Sequence, residues 1–137
     1  MDKAKPASTP LGNHFRLCKD QSSKTDKEIE HMSKVPYALI IGSLMYAMVC
    51  TSPNITHAVG VVSRYMSNPS KTHWKSVKWV MRYWRGTSDT YLCFPARDLK
   101  LEGFVDADLI GDIDSKKRTT YFVFTLGGTV ISWGSNL

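Results

Sequence analysis

Four aspartates stand within nine positions of the sequence, between two runs of strand-forming residues. They are Asp106, Asp108, Asp112 and Asp114. Carboxylates at such close spacing repel one another, so the cluster needs a physical cause. A bound metal ion, a polar turn and plain exposure to water are the three explanations that the residue types allow.

A calcium-binding loop is the first interpretation of the cluster. Counting from Asp106, acids stand at the first, third and ninth positions and Gly111 at the sixth. The fifth position is Ile110, however, and the twelfth is Lys117, where such loops place a bidentate glutamate. A cation at the closing position repels calcium, which argues against this interpretation.

Each of the other two interpretations applies to one half of the cluster. The segment GDIDSKK favours a polar turn in which Asp112 and Asp114 face water beside lysines. Strand alternation instead places Phe104, Asp106 and Asp108 on one face of a strand end. Carboxylates in that position can hold Mg²⁺ in a two-metal phosphodiester hydrolase, although one strand rarely supplies enough of them.

A second constellation is a row of five basic residues spaced four, three, four and three apart, hereafter the basic row: Lys71, Lys75, Lys78, Arg82 and Arg85. At about 100° per residue they form one stripe along a helix, and no acid interrupts the stripe in the sequence. The opposite side of this helix is apolar: Trp74, Val77, Val80, Met81 and Trp84. Either an ordinary solvated face or a face that follows phosphates fits this pattern.

Composition favours an anionic partner, nucleic acid above all, because the 137 residues carry a net charge of +6. A merely solvated basic surface is the alternative. The three cysteines form no CxxC pair and indicate neither a disulfide framework nor a zinc site. We therefore expect reduced thiols and an intracellular location, in the cytoplasm or nucleus.

The longest apolar run, VPYALIIGSLMYAMVC, is shorter than the roughly 20 residues that a membrane crossing needs. We expect it to form a helix that is buried on most sides, and we expect no membrane partner. The four histidines have no partnered nucleophile in the sequence and are interpreted as structural or exposed.

The pattern along the chain predicts three parts. Residues 1–34 form an N-terminal arm, partly extended, in which SSKTDKEIEHMSK is compatible with a short exposed helix. Residues 35–88 form three helices, over about 37–49, 55–66 and 72–85, with Ser52 as a cap and Pro53 in the first helical position. Residues 89–137 read as the strands YLCF, LEGFVDAD, TTYFVFTL and TVISW, with turns at PARD, GDIDSKK and GG. Helices followed by strands indicate the α+β class.

Several long stretches resemble one family. STPLGNHFRL, VPYALIIGSLMYAMVCT, HAVGVVSRYMSNPSKTHW, VKWVMRYWRGTSDTYLCF and GFVDADLIGDIDSKKRTTYFVFTLGGTVISW are similar to the copia-type retrotransposon Pol polyprotein of plants. The similarity lies at the junction of reverse transcriptase and ribonuclease H and covers nearly the whole chain.

This resemblance implies that residues up to about Ser88 form a thumb or connection region that grips a template–primer duplex. From about Leu99 the chain resembles the first three strands of a ribonuclease H fold, an antiparallel sheet that is incomplete here. Asp106 corresponds to the family's first catalytic carboxylate and Asp108 to the second aspartate of its DAD motif. Both would belong to a Mg²⁺ site in the intact parent enzyme.

The resemblance also implies missing parts. The polymerase's paired aspartates lie upstream of this sequence, and the other ribonuclease H acids lie beyond Leu137. We therefore expect a vestigial site, no tightly bound Mg²⁺ and no catalysis by this chain alone. Tyr121 also departs from the family, which commonly has glycine at that position, and Ser52 and Asn54 stand where it usually has arginine and aspartate.

Three functions are compatible with these observations. The first is a binding remnant that keeps sequence-independent affinity for duplex or RNA–DNA hybrid. The second is part of a Mg²⁺-dependent ribonuclease H that is active only when completed by further sequence. The third is a decayed gene fragment or an interaction piece that self-associates through the unfinished sheet, where Phe122, Phe124, Val130 and Ile131 would lack cover.

Overall fold

The computed structural model describes residues 4–90, 92–93, 99–108 and 119–136. The chain divides into two compact units, a helical unit of Met1–Ser88 and a sheet unit of Asp89–Leu137. Helices make up the first unit and an antiparallel sheet the second, so the α+β class is confirmed.

Four α-helices and two short 3-10 turns make up the regular structure described in the helical unit. The helices are α1 (Asp26–Ser33), α2 (Tyr37–Cys50), α3 (Thr56–Ser63) and α4 (Lys71–Gly86), and the 3-10 turns are Lys19–Gln21 and Pro53–Ile55. The three expected helices and the short exposed helix of the arm are thus all present. The second expected helix is shorter than predicted, because the chain leaves α3 before Tyr65, whose buried ring stacks on His73 at a centroid distance of 4.1 Å.

The core of the helical unit joins α2, α3 and α4. Its fully buried side chains come from the three- and four-residue spacing in each helix: Ile41, Leu44, Val59, Val62, Val77 and Val80. Burying one such aliphatic side chain contributes about 1.5–3 kcal/mol relative to leaving it in water. Leu17 of the N-terminal arm is also buried in this core, which ties the arm to the helices.

The expectation that α2 is buried on most sides is wrong. Leu39, Tyr46 and Val49 are 73%, 74% and 67% exposed, and they lie on the side of the helix opposite Ile41 and Leu44. The cause is the small number of elements that pack against α2. Among the described elements, α3 and the Pro53–Ile55 turn pack most extensively on α2, and they cover one side of it.

Two buried polar groups fix the positions of α2 and α4. The hydroxyl of Tyr37, in the first turn of α2, donates to the carbonyl of Val62 at 2.8 Å. Ser70 caps α4 in a capping box: its hydroxyl accepts from the amide of His73, and Nδ1 of His73 accepts from the amide of Ser70 at 3.0 Å. His73 is fully buried, in agreement with a structural role.

The described sheet has three strands, β1 (Leu101–Asp108), β2 (Thr119–Leu126) and β3 (Thr129–Asn136), in the antiparallel order β1-β2-β3. The turn at GG is confirmed. Gly127 and Gly128 have φ values of 58° and 80°, which a two-residue hairpin turn of type I′ requires at both central positions.

Two other glycines let aromatic rings cross the sheet. A Cβ at Gly103 would lie 2.8 Å from the ring of Phe124, and a Cβ at Gly134 would lie 2.6 Å from the ring of Phe122. Each glycine is directly opposite the phenylalanine concerned. The rings of β2 therefore pack across the backbones of both neighbouring strands.

Some expected features of the sheet unit are not part of its strands or lie outside the described residues. Leu92 and Cys93, from the expected strand YLCF, are in no strand, and the rest of that segment is outside the described residues. The turns at PARD and GDIDSKK are also outside them, with Asp112 and Asp114.

Within the described residues, no single helix is long and apolar enough to span a membrane. The bent pair α1 and α2 meets the criterion by length and composition only.

Replacing Tyr37 by phenylalanine should destabilise the helical unit by about 1 kcal/mol at neutral pH, because the carbonyl of Val62 loses the phenol donor at 2.8 Å. The carbonyl keeps its backbone donors, among them the amide of Tyr65 at 3.4 Å. Burial raises the pKa of Tyr37. The folded state therefore prefers the neutral phenol, and this stability is lost as pH rises above about 10, where an unfolded tyrosine ionises.

Urea unfolding followed by circular dichroism at 222 nm, at pH 7 and above pH 10, measures both effects. Tyr46→Phe is the control, because Tyr46 is largely exposed and the variant keeps the buried phenol. A Tyr37→Phe chain that loses as much stability on alkalinisation as the control would contradict the assignment.

Candidate nucleic-acid interface

The basic row lies along one side of α4. Lys71, Lys75, Lys78 and Arg85 are exposed and Arg82 is half-buried. On the other side of the helix, Val77 and Val80 are fully buried, as the apolar period predicts. The structure thus brings the five basic residues to one helix face, while their role in binding stays a prediction.

Two members of the basic row lie over tryptophan rings. Nζ of Lys78 is 5.7 Å from the ring centroid of Trp74, and the guanidinium carbon of Arg82 is 5.4 Å from that of Trp79. Cation–π attraction at these distances restricts where the two charges point without neutralising them. The aromatic flank of α4 therefore helps to orient the basic row.

The N-terminal arm runs along α4 beside these tryptophans. Nε of Arg82 donates to the carbonyl of Lys5 at 2.7 Å, and Nε1 of Trp79 donates to the carbonyl of Thr9 at 2.9 Å. Farther along α4, a Cβ at Gly86 would lie 2.9 Å from Cβ of Pro6, so the arm passes close to the helix backbone there. Residues about 75 positions apart in sequence form this contact, and no local pattern indicated it.

The amino-terminal end of the basic row has an acid nearby that the sequence pattern did not reveal. The pKa of Glu28 in α1 is lowered by the backbone amide of Lys24, then by the hydroxyl and amide of Thr25, and also by the charge of Lys71. Tertiary packing thus brings α1 near one end of the row. The sequence of α4 itself has no acid within the row, and the acid near Lys71 comes from α1.

At the other end of α4, two residues noted as departures from the resembled family contact aromatic side chains. Nε1 of Trp84 donates to Oγ of Ser52 at 3.1 Å, and Nδ2 of Asn54 donates to the hydroxyl of Tyr83 at 3.0 Å. Ser52 makes no side-chain hydrogen bond to the amides of the following turn, so its expected role as a cap is wrong. Pro53 does occupy the first position of that turn.

Asp106 lies on β1 with its side chain exposed, directly opposite Tyr121 of β2. Side chains of directly opposed residues share a face, so the tyrosine ring flanks the carboxylate. The backbone of Asp108 pairs with that of Thr119 in the same register, and alternation along β1 places Phe104 and Asp106 on one face, as predicted for these two residues. Burial raises the pKa of Tyr121, so its hydroxyl stays neutral at physiological pH.

Mg²⁺ at a two-metal site requires several carboxylates close together. Within the described residues, no group of three or more histidine, cysteine, aspartate or glutamate side chains is close enough to hold a metal ion. Within that part of the chain, Asp106 therefore has too few ligand side chains around it to hold a Mg²⁺ ion.

No protein-family model matches the chain, and no solved structure matches it. Curated sequences do match. The chain belongs to one family with a secreted RxLR effector protein 161 of Plasmopara viticola, of which it covers three quarters. Over nearly its whole length it is also similar to a segment of the retrovirus-related Pol polyproteins of plant transposons.

One such polyprotein, from the transposon TNT 1-94 of Nicotiana tabacum, is 54% identical over all 137 residues, which make up 10% of its length. The polyprotein from transposon RE2 of Arabidopsis thaliana is 35% identical over 96% of this chain and 9% of its own length. A secreted RxLR effector protein 161 of Plasmopara viticola is 43% identical over 76% of this chain and 74% of its own length. The chain thus spans about a tenth of the transposon polyproteins that it matches.

Proposed function

We propose that this chain is the part of a copia-type Pol polyprotein that joins the end of reverse transcriptase to the start of a ribonuclease-H-like domain. In this proposal it binds duplex nucleic acid or RNA–DNA hybrid without sequence preference, in the cytoplasm or nucleus. The basic row on one side of α4, with four of its five members exposed, is the observation that carries the proposal.

The dimensions of the basic row suit a nucleic-acid backbone. With a rise of about 1.5 Å per residue, Lys71 and Arg85 are about 21 Å apart along α4. A duplex presents one phosphate charge about every 3.4 Å of axis on each strand, so a straight row of cations meets several phosphates at once. Five such contacts predict a log–log dependence of affinity on salt with a slope of about −4 to −5.

Charge reversal in the middle of the basic row tests this proposal. The variant Lys75→Glu, Lys78→Glu, Arg82→Glu should reduce the salt slope by about 2.7 and weaken binding at low salt more than tenfold. Fluorescence anisotropy with a labelled DNA duplex and an RNA–DNA hybrid, over a series of salt concentrations, measures both quantities.

The matched control reverses three exposed lysines of the N-terminal arm, Lys19, Lys24 and Lys27. It changes the net charge by the same amount at residues outside the basic row. Equal losses in the two triple variants would show that affinity follows net charge alone, and would remove the basic row from the account.

The same proposal treats the isolated chain as catalytically incomplete, with Asp106 as a vestigial carboxylate. In the presence of Mg²⁺, wild type and Asp106→Asn should both leave an RNA–DNA hybrid uncut. Gel analysis of a hybrid labelled on its RNA strand measures this. Cleavage by wild type that disappears in Asp106→Asn would instead support the alternative, an active portion of a Mg²⁺-dependent ribonuclease H.

A second candidate function is self-association through the sheet. Val105 is 71% exposed, and Phe104, Phe124 and Ile131 are also exposed although they belong to strands. The register places Phe104 and Val105 on opposite faces, so apolar side chains are exposed on both faces of the described sheet. Exposed apolar strands at a sheet edge favour pairing with a second copy.

Size-exclusion chromatography with light scattering tests this candidate. We expect wild type to show a concentration-dependent increase in mass, and Val105→Lys to shift the equilibrium toward the monomer because it places a charge on an exposed strand. Val49→Lys is the control, since Val49 is equally exposed but lies on α2. A wild-type chain that stays monomeric at all concentrations would refute the candidate.

A further inference from the structure

We propose that Arg82 is a stronger phosphate contact than the three lysines of the basic row, because Trp79 and the N-terminal arm hold its guanidinium in a binding-ready orientation. This inference rests on the proposed function and adds a ranking of the basic residues by their contribution to affinity. The five basic residues would then contribute unequally, with Trp79, Lys5 and Thr9 acting as positioning residues.

The contacts of Arg82 differ in kind from those of the neighbouring lysines. Its Nε–H is directed at the Lys5 carbonyl at 2.7 Å, and its planar group lies over the Trp79 ring at 5.4 Å. The hydrogen bond directs the Nε edge of the guanidinium toward the arm, and the tryptophan ring restricts where the guanidinium carbon lies. The edge formed by the two Nη groups is the part of the fork that these contacts do not use, and it can grip two oxygens of one phosphate.

Trp79 is itself held in place, so the support extends beyond a single contact. Its Nε1 donates to the Thr9 carbonyl at 2.9 Å, and the rings of His14 and Phe15 meet it edge-on at centroid distances of 5.2 and 5.8 Å. The arm therefore contacts the tryptophan through both backbone and rings. This arrangement positions the ring before any ligand arrives.

The lysines of the basic row lack such support. Lys78 lies over Trp74, but an ammonium group is a compact charge with rotatable donors and has no plane to orient. A lysine loses side-chain freedom when it meets a phosphate, whereas a pre-oriented arginine has already lost most of it. Arg82 should therefore contribute more to the affinity than a flexible side chain that carries the same unit charge.

Charge-conserving substitutions test the inference. Arg82→Lys keeps the charge and removes both the Nε donor and the fork, so duplex affinity should fall by about fivefold to tenfold with the salt slope unchanged. Lys78→Arg, which also keeps its charge and lies one turn away, should change affinity less than twofold. Trp79→Phe keeps the ring and removes the donor to Thr9, and should give a smaller loss than Arg82→Lys.

A second measurement reports on the orientation without nucleic acid. In ¹⁵N-resolved NMR spectra of the wild type, the Nε–H of Arg82 should exchange with water more slowly than that of exposed Arg16, and Trp79→Phe should speed this exchange. Circular dichroism confirms that each variant is folded.

The outcomes separate the inference from the proposed function. Salt-dependent binding by wild type with equal affinity in Arg82→Lys would refute the pre-oriented anchor and leave the basic row as a set of equivalent charges. Absence of salt-dependent binding in wild type would refute both. Fast exchange of the Arg82 Nε–H in wild type would also refute the anchor, whatever the affinities.

Discussion

The two-sided character of α4 is the constraint on which the rest of the helical unit depends. Val77 and Val80 fill the core together with the fully buried His73 and Ser76, and this fixes the rotation of the helix about its axis. Any other rotation would bury cations of the basic row, at several kcal/mol for each one. Core packing and the exposure of the basic row are therefore one property of the sequence.

The N-terminal arm completes that arrangement. Its extended backbone has carbonyls that need hydrogen-bond donors, because no helix or sheet supplies them. Two of these carbonyls accept from the long side chains on the flank of α4, and the buried Leu17 anchors the arm in the core. The first part of the arm, residues 4–18, has no regular structure and thus becomes part of the candidate interface. The arm contributes polar acceptors, and the helix contributes charge and aromatic surface.

Periodicity sufficed to predict most elements, because each helix and strand carries its own hydrophobic repeat. The strands LEGFVDAD and TTYFVFTL match β1 and β2 residue for residue, and the Gly127–Gly128 turn follows from its backbone requirement. Exposure of α2 could not be predicted, because hydrophobicity does not state how many neighbours a helix has. The contacts of Ser52 and Arg82 depend on tertiary packing, which local sequence does not encode.

The difference between binding and catalysis explains why the candidate site lies on the helix. Phosphate binding by a row of cations is a sum of nearly independent terms, so it tolerates the loss or displacement of any one of them. Two-metal hydrolysis requires several carboxylates held together within a fraction of an ångström, and it fails when one is absent. On β1, the described carboxylate of Asp106 is exposed and flanked by the ring of Tyr121, where the resembled family has glycine. The described helix therefore meets the requirements of a charge-based binding interface more fully than the described strands meet those of a two-metal catalytic centre.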